Sequence, residues 1–274
     1  MPTYIVKPPV ATWQPDRAPA GSRLYLPMHE GAGARTRDLA GVGLGTFVGT
    51  PTWGRGPYGG QIGGFTTSNY ITVSPIPARA YPFWQAYLFV NTVTTTGATL
   101  GGWTNTGGSN PAAIIRVNGD VVSRPDYFLR DDAGGGPVAS LSAASGSATP
   151  NDGLPHVLMA SSHSTVDHRL YWDGRLVGSS STSVGTITTP VFTVGVMRRT
   201  TVSGAFGGST IAVLAGSGSV PDAMALAQDL LSGRFAAMRP RRDLVAFAGV
   251  TAAGGAPVAG PVLFHSHYSN MGWR

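Results

Sequence analysis

Asp and Glu together number 13 and His 6 among 274 residues, so the groups able to do acid–base or metal chemistry can be weighed one by one. Retaining glycosidic cleavage needs two carboxyl groups about 5 Å apart facing one bond. The neighbouring pair Asp131-Asp132 does not offer this, because adjacent strand residues point to opposite faces, and the Gly134-Gly135-Gly136 run that follows marks a loop. No Gly-x-Ser-x-Gly elbow occurs, and Ser161-Ser162-His163 reads as a polar strand end. Asp173, in the stretch HRLYWDGRLVGSSS (168–181), precedes Gly174. Both tolerate the positive φ of a two-residue hairpin turn, so Asp173 is expected to be a corner between Leu170-Tyr171-Trp172 and Arg175-Leu176-Val177, not a catalytic acid.

Binding chemistry is the better prospect. Sugar recognition calls for exposed aromatic faces beside amide, guanidinium or carboxylate groups. Trp103 with Asn105, and Tyr127 with Arg130 and Asp131, fit that description and are candidate carbohydrate-binding residues, although core packing or loop anchoring is the favoured account of each aromatic. Asp131, Asp132, Asn151 and Asp152 could supply oxygens to calcium at a loop rim, although their spacing is not that of a known cation loop and turn formation is the favoured account of them. His265 and His267 would share one face of an extended strand, where a threefold assembly could gather imidazoles around a transition metal; a surface or docking contact is the alternative.

The elements that position these groups are strands. Gly 39 and Pro 21, with 12% charged and 42% hydrophobic residues, describe many turns and short strands in an all-β globular chain. With Cys 0, disulfides and thiolate sites are excluded. The net charge of +6 falls short of a nucleic-acid signature, and the start of the chain lacks the apolar run of a signal peptide or membrane anchor. The segment FWQAYLFVNTVT reads as a central strand covered on both faces, AAIIRVNGDVVS as a second hairpin turning at Asn118-Gly119, and the stretch after Asp132 as a weak edge strand. One helix is expected in SVPDAMALAQDLLSG, with Asp222 in its first turn, Leu226, Leu230 and Leu231 on one face and Gly233 past its end. Residues 1–22 read as an extended Pro-rich arm and residues 248–274 as a Gly- and Pro-rich tail, with Tyr4, Trp13, Phe264, Tyr268 and Trp273 as candidate docking side chains.

Four stretches carry a family resemblance over about residues 23–247: LYLPMHEGAGARTRDLAG, GLPHVLMASSHSTVDHRLYWDGRLVGS, FTVGVMRRTTVSGAFGGSTIAVLAG and SVPDAMALAQDLLSGRFAAMRPRRDLV. In this order they resemble the laminin-G-like, concanavalin A-like lectin/glucanase superfamily, in the versions found in tailed-phage and prophage structural proteins. The resemblance implies an antiparallel jelly-roll β-sandwich with one short helix, and a structural place for Glu30, Trp53 and His156. The Glu-x-Asp-x-Glu strand of the enzymatic members is missing, which implies a non-enzymatic protein. The function expected is a virion structural protein of a tailed phage, such as a capsid decoration, head-fibre or tail-associated component. It would be assembled in the host cytoplasm, attached to other virion proteins through its arms, and homo-oligomeric. The alternative is a lectin module for host-surface glycans. Neither reading calls for a membrane, specific nucleic acid or an obligatory cofactor; His265 and His267 resemble the metal-binding tips of trimeric phage spikes.

Overall fold

The computed structural model describes residue 18 and residues 21–233, except 29, 42, 108–110, 134–138 and 189–190. Tyr4, Trp13, Phe264, His265, His267, Tyr268 and Trp273, and with them the expectations for both terminal segments, lie outside the described residues.

The strands in chain order are β1 (Ser22–Leu26), β2 (Arg35–Arg37), β3 (Leu44–Val48), β4 (Thr52–Gly56), β5 (Gly59–Gly63), β6 (Tyr70–Ser74), β7 (Phe83–Val90), β8 (Ala98–Thr104), β9 (Ala112–Asn118), β10 (Asp126–Arg130), β11 (Ala139–Ser142), β12 (Pro155–Ser164), β13 (Asp167–Trp172), β14 (Arg175–Ser180), β15 (Val191–Val194), β16 (Met197–Arg198), β17 (Val202–Ser203) and β18 (Ser209–Ser217). A single helix, α1 (Ala223–Leu231), follows among the described residues. Two eight-stranded antiparallel sheets form a jelly-roll β-sandwich: one runs β14-β13-β12-β7-β18-β5-β4, with β1 also paired to β18, and the other runs β11-β10-β9-β8-β15-β6-β3-β2.

The inner faces of both sheets meet in one core. Phe83, Tyr87 and Phe89 of β7 pack there with Leu100 and Trp103 of β8, Ile115 of β9, Tyr127 of β10 and Phe192 of β15. The other face of β7 is covered as well: Trp84, Ala86 and Leu88 lie with Met159, Leu214 and Tyr25 under Leu226 and Leu230 of α1. The sequence of β7 is apolar at nearly every position because neither face meets water. Asp222 caps α1, its carboxylate accepting from the Ala225 N–H at 2.7 Å, and Gly233 leaves it with φ +71°.

Asp173 is the expected corner. It has φ +47° and Gly174 φ +82°, and Trp172 pairs with Arg175 across the two-residue turn. The corner is also tied inward, since the Val157 N–H donates to Asp173 Oδ1 at 2.8 Å and the Asp173 N–H returns a bond to the Val157 carbonyl at 2.8 Å.

The second expected hairpin differs. β9 ends at Asn118, β10 begins at Asp126, and Val121 and Val122 are exposed in the connection instead of paired. Asn118 does not turn the chain in two residues; its side chain accepts from the Ser123 N–H at 3.0 Å and closes a longer loop. Gly119 is required for space, because a Cβ there would overlap the Asp126 carboxylate.

Candidate functional site

The sugar-binding expectation fails at its aromatics. Trp103 and Tyr127 are both 0% exposed. Trp103 meets Phe83 and Phe192 edge-on at centroid distances of 5.7 and 5.0 Å, and its indole N–H donates to the Pro77 carbonyl at 3.0 Å. The Tyr127 hydroxyl lies 3.0 Å from Ser162 Oγ, inside the sandwich. Neither can present a face to a ligand. Asn105 is spent on its own turn, accepting from the Gly107 N–H at 2.8 Å. Asp131 accepts from the N–H groups of Ala133 (3.1 Å) and Gly185 (3.0 Å), and is a loop anchor. Arg130 stands on the outward side of β10 and is half-buried.

The four calcium candidates are likewise engaged locally. Asp132 accepts from both the N–H and the hydroxyl of Thr188, at 2.8 and 2.7 Å. Asn151 bridges Asn91 and Ser123. Asp152 accepts from the Leu154 N–H at 2.9 Å and faces His156. Among the described residues, His, Asp and Glu form no cluster of three able to hold a metal ion.

His156 is a structural clamp. Its ring lies 4.4 Å from that of Trp172, with Nδ1 2.8 Å from Asp173 Oδ2 and Nε2 3.0 Å from Asp152 Oδ1. Glu30 and Trp53 are structural too: Glu30 accepts from the Arg37 N–H at 2.6 Å, and the Trp53 indole donates to the Gly33 carbonyl at 2.8 Å. Burial opposes a charged His156 ring, but the hydrogen bond and charge of Asp173, then those of Asp152, more than offset it and raise the His156 pKa. His168 is the reverse case, fully buried with a pKa lowered chiefly by desolvation. Its Nε2 lies 3.1 and 3.2 Å from the Thr165 and Thr182 carbonyls, so that nitrogen carries the proton and Nδ1 accepts from Ser162.

A pH profile follows from these opposite shifts. Stability from His156 is complete below about 6.5 and is lost as pH rises through its raised folded pKa. Stability from a neutral His168 is present above about 6.5 and is lost as pH falls through its lowered folded pKa. Urea midpoints should therefore decline on the alkaline side of the ordinary histidine range, and His156→Gln should flatten that limb alone. Parallel alkaline limbs for the two proteins would refute the assignment.

A groove of about 260 Å³ is lined by Ile76, Pro77, Ala78, Arg79, Trp103 and Ile187. Its wall is the connection between β6 and β7, held in place where the buried Trp103 indole grips the Pro77 carbonyl. Arg79 lies over the Phe83 ring with its guanidinium carbon 5.0 Å from the centroid. Its Nε is shielded from solvent and has no hydrogen-bond partner. Burial lowers the Arg79 pKa, against the opposing influence of Tyr127, Tyr81 and Asp132.

Asp132, the one acid among those neighbours, already directs both oxygens at Thr188. The groove thus places the half-buried Arg79, which forms no ion pair among the described residues, beside Ile76, Ala78 and the buried Pro77, Trp103 and Ile187. Arg79 was missed in the sequence reading, yet a signal existed: no Asp or Glu occurs between Asp38 and Asp120, leaving Arg79 far from any acid along the chain.

The chain matches no family model and no curated protein sequence. Solved structures do resemble it. Domain 4 of AbnA, an extracellular arabinanase from Geobacillus stearothermophilus, in complex with arabinotriose, is 14% identical with a TM-score of 0.57, over 76% of this chain and 98% of that one. The binding domain of Paraclostridial Mosquitocidal Protein 1 is 10% identical with a TM-score of 0.58, and the match covers 77% of this chain and 52% of that one. Trypanosoma rangeli sialidase is 16% identical with a TM-score of 0.53, over 78% of this chain and 33% of that one. The chain therefore spans about half of the toxin binding domain and a third of the sialidase. At these identities the likeness is one of fold, an antiparallel β-sandwich.

Proposed function

We propose that this sandwich is a non-enzymatic carbohydrate-binding module whose ligand lies in the groove walled by residues 76–79. The observation that carries the reading is the groove itself, an open concavity of about 260 Å³ with the half-buried Arg79 in its lining. Such a site is small for a drug-sized ligand and of a size for one or two sugar rings, whose hydroxyls would meet the polar groups at its surface. The arabinotriose complex of the structural neighbour that this chain matches along nearly its whole length supports the same class of ligand. Binding without cleavage is supported by the lining, which supplies neither a carboxylate nor a nucleophile.

The test is retention of the full-length chain on immobilised polysaccharides, compared with Ala78→Trp. Ala78 is exposed on the groove wall, so an indole there should fill the groove without disturbing the core. Loss of retention at an unchanged unfolding midpoint is expected; retention indifferent to Ala78→Trp would place binding elsewhere.

A second reading, a structural component of a tailed-phage particle, rests on the order of the four family-like stretches and the Pro- and Gly-rich composition of the termini. Under it the sandwich is a display or clamp element. Deleting residues 1–20 and 250–274 should then abolish association with particles while leaving polysaccharide retention intact.

A further inference from the structure

We infer that the outward face of the sheet running from β2 to β11 docks an acidic polysaccharide, whose carboxylate or sulfate groups meet arginines spread across it. This surface lies beyond the groove and does not depend on it. Its ground is the register of the strands: Arg35 of β2 is linked pair by pair through Thr46, Thr72, Thr193, Gly102 and Ile114 to Phe128 of β10. Six steps of about 4.8 Å make a row about 29 Å long, and its side chains share the face turned away from the core.

The strands of this sheet carry four cations and one acid, namely Arg35 and Arg37 of β2, Arg116 of β9, and Arg130 and Asp126 of β10. All five point outward, because Thr36, Ile115, Tyr127 and Leu129 occupy the inward positions between them. The β16–β17 hairpin lies over the middle of the same face and adds two more arginines. There the Thr193 hydroxyl donates to the Val196 carbonyl at 3.0 Å, and the Arg198 guanidinium carbon stands 6.0 Å from the centroid of the outward Tyr70 ring. Arg199 follows on the β9–β10 side, where burial first, and then the charges of Arg130 and Arg116, lower its pKa.

The protein's own acids do not cancel this field. Asp126 is committed to Arg116, and the acids at the rim are engaged locally: Glu30 with the Arg37 N–H and the Thr36 hydroxyl, Asp120 with Arg116, and Asp132 with Thr188. Six arginines therefore share one face, with one buried acid among them.

The spacing and the aromatics name the class of partner. Duplex DNA carries one charge per about 1.7 Å of its axis, a far denser array than six guanidiniums spread over about 29 Å, which suit a polymer charged once per sugar. Single-stranded nucleic acid calls for open aromatic faces on which bases stack. On this face Tyr70 is already met by Arg198, and Phe128 by Arg116, whose guanidinium carbon is 5.3 Å from the ring centroid. Arginine forks match the paired oxygens of carboxylate and sulfate, and the exposed Thr46 adds a hydroxyl for sugar.

The experiment uses the full-length protein with polygalacturonate, dextran sulfate, neutral dextran and a short DNA duplex as probes, each at low and high salt. The variants are Arg35→Gln, Arg130→Gln and Arg199→Gln combined, Thr46→Glu, Ala78→Trp in the groove, and Arg239→Gln, Arg241→Gln and Arg242→Gln combined in the densest basic cluster of the sequence. Unfolding midpoints are recorded for each.

Wild type should bind an acidic polymer, less tightly at high salt. The combined face variant should lose at least about tenfold in that affinity, three modest surface pairs acting together, while its response to dextran stays that of wild type. Thr46→Glu leaves every arginine in place and sets a negative charge beside Arg35, so its severalfold loss carries the test if the combined variant lowers the midpoint. Ala78→Trp should bind the acidic polymers as wild type does.

Failure to bind either acidic polymer, binding indifferent to both face variants, or loss confined to the Arg239, Arg241 and Arg242 variant would overturn the inference and leave the groove reading untouched. Loss in Ala78→Trp with the face variants unaffected would return the acidic polymer to the groove. DNA held as tightly as either acidic polymer at the same salt would overturn the sugar assignment.

Discussion

Trp103→Ala should cost about 3–5 kcal/mol of stability, the range for removing a large aromatic from a packed core. Trp103 is fully buried between Phe83 and Phe192, so its removal takes away transferred apolar area, two edge-on ring contacts and the surroundings' packing at once. The indole N–H adds a second consequence. It donates to Pro77 at 3.0 Å, and without it a carbonyl in the groove wall loses its partner. Trp103→Phe should therefore destabilise less than the Ala variant and still loosen residues 76–79. Urea unfolding separates this account from a surface sugar platform, for which the Ala variant would keep its midpoint and lose only ligand.

Asp126→Ala should cost a similar amount, about 3–5 kcal/mol, because it removes the buried partner of Arg116 and leaves the guanidinium only the exposed Asp120. Arg116 of β9 donates through Nε to Asp126 Oδ1 at 2.7 Å and through Nη2 to Oδ2, a two-pronged contact across the β9–β10 pair. The Asp126 side chain is 0% and the Arg116 side chain 10% exposed. Desolvation alone would push the Arg116 pKa down; its hydrogen bond to Asp126, followed by the charges of Asp126 and Asp120, carries it above the ordinary arginine value. Asp120 provides the control. It bonds the same guanidinium at 2.9 Å, but its side chain is 79% exposed, so Asp120→Ala should cost under about 1 kcal/mol. Equal losses for the two variants in chemical denaturation would mean that burial does not set the strength of this network.

How much of this was legible in the sequence depended on how local each feature is. The Asp173-Gly174 corner and the helix with its Asp222 cap are set by neighbours within a few residues, and both stand where they were expected. β7 announced its position through aromatics on both alternating faces. Core packing, the favoured account of Trp103, holds, although alternation along β8 is broken and could not show it. The β8–β9 register shifts between Ala98 and Gly101, and Gly101 and Gly102 adopt φ of +145° and +137°, with a Cβ at either one overlapping a neighbouring strand's carbonyl oxygen. Leu100 and Trp103 consequently both face the core, three positions apart, where a regular strand would turn one of them outward.

Asn118-Gly119 misled for a related reason. The dipeptide is a turn signal, but here the Gly makes room for Asp126, a partner seven residues away that no local rule anticipates. The groove was invisible for the same cause. Arg79, Trp103 and Ile187 come together through the β6–β7 connection, β8 and the segment before β15, and only the folded sandwich shows that the cation among them lacks a partner.

The central claim is that the ligand occupies this groove, and amide chemical-shift mapping tests it most directly. Isotope-labelled full-length protein would be titrated with arabinotriose. The account predicts that the largest changes fall on Ile76, Ala78, Arg79, Ile187 and the Trp103 indole, all at the groove. Changes centred on any other face of the sandwich, or none at all, would contradict it.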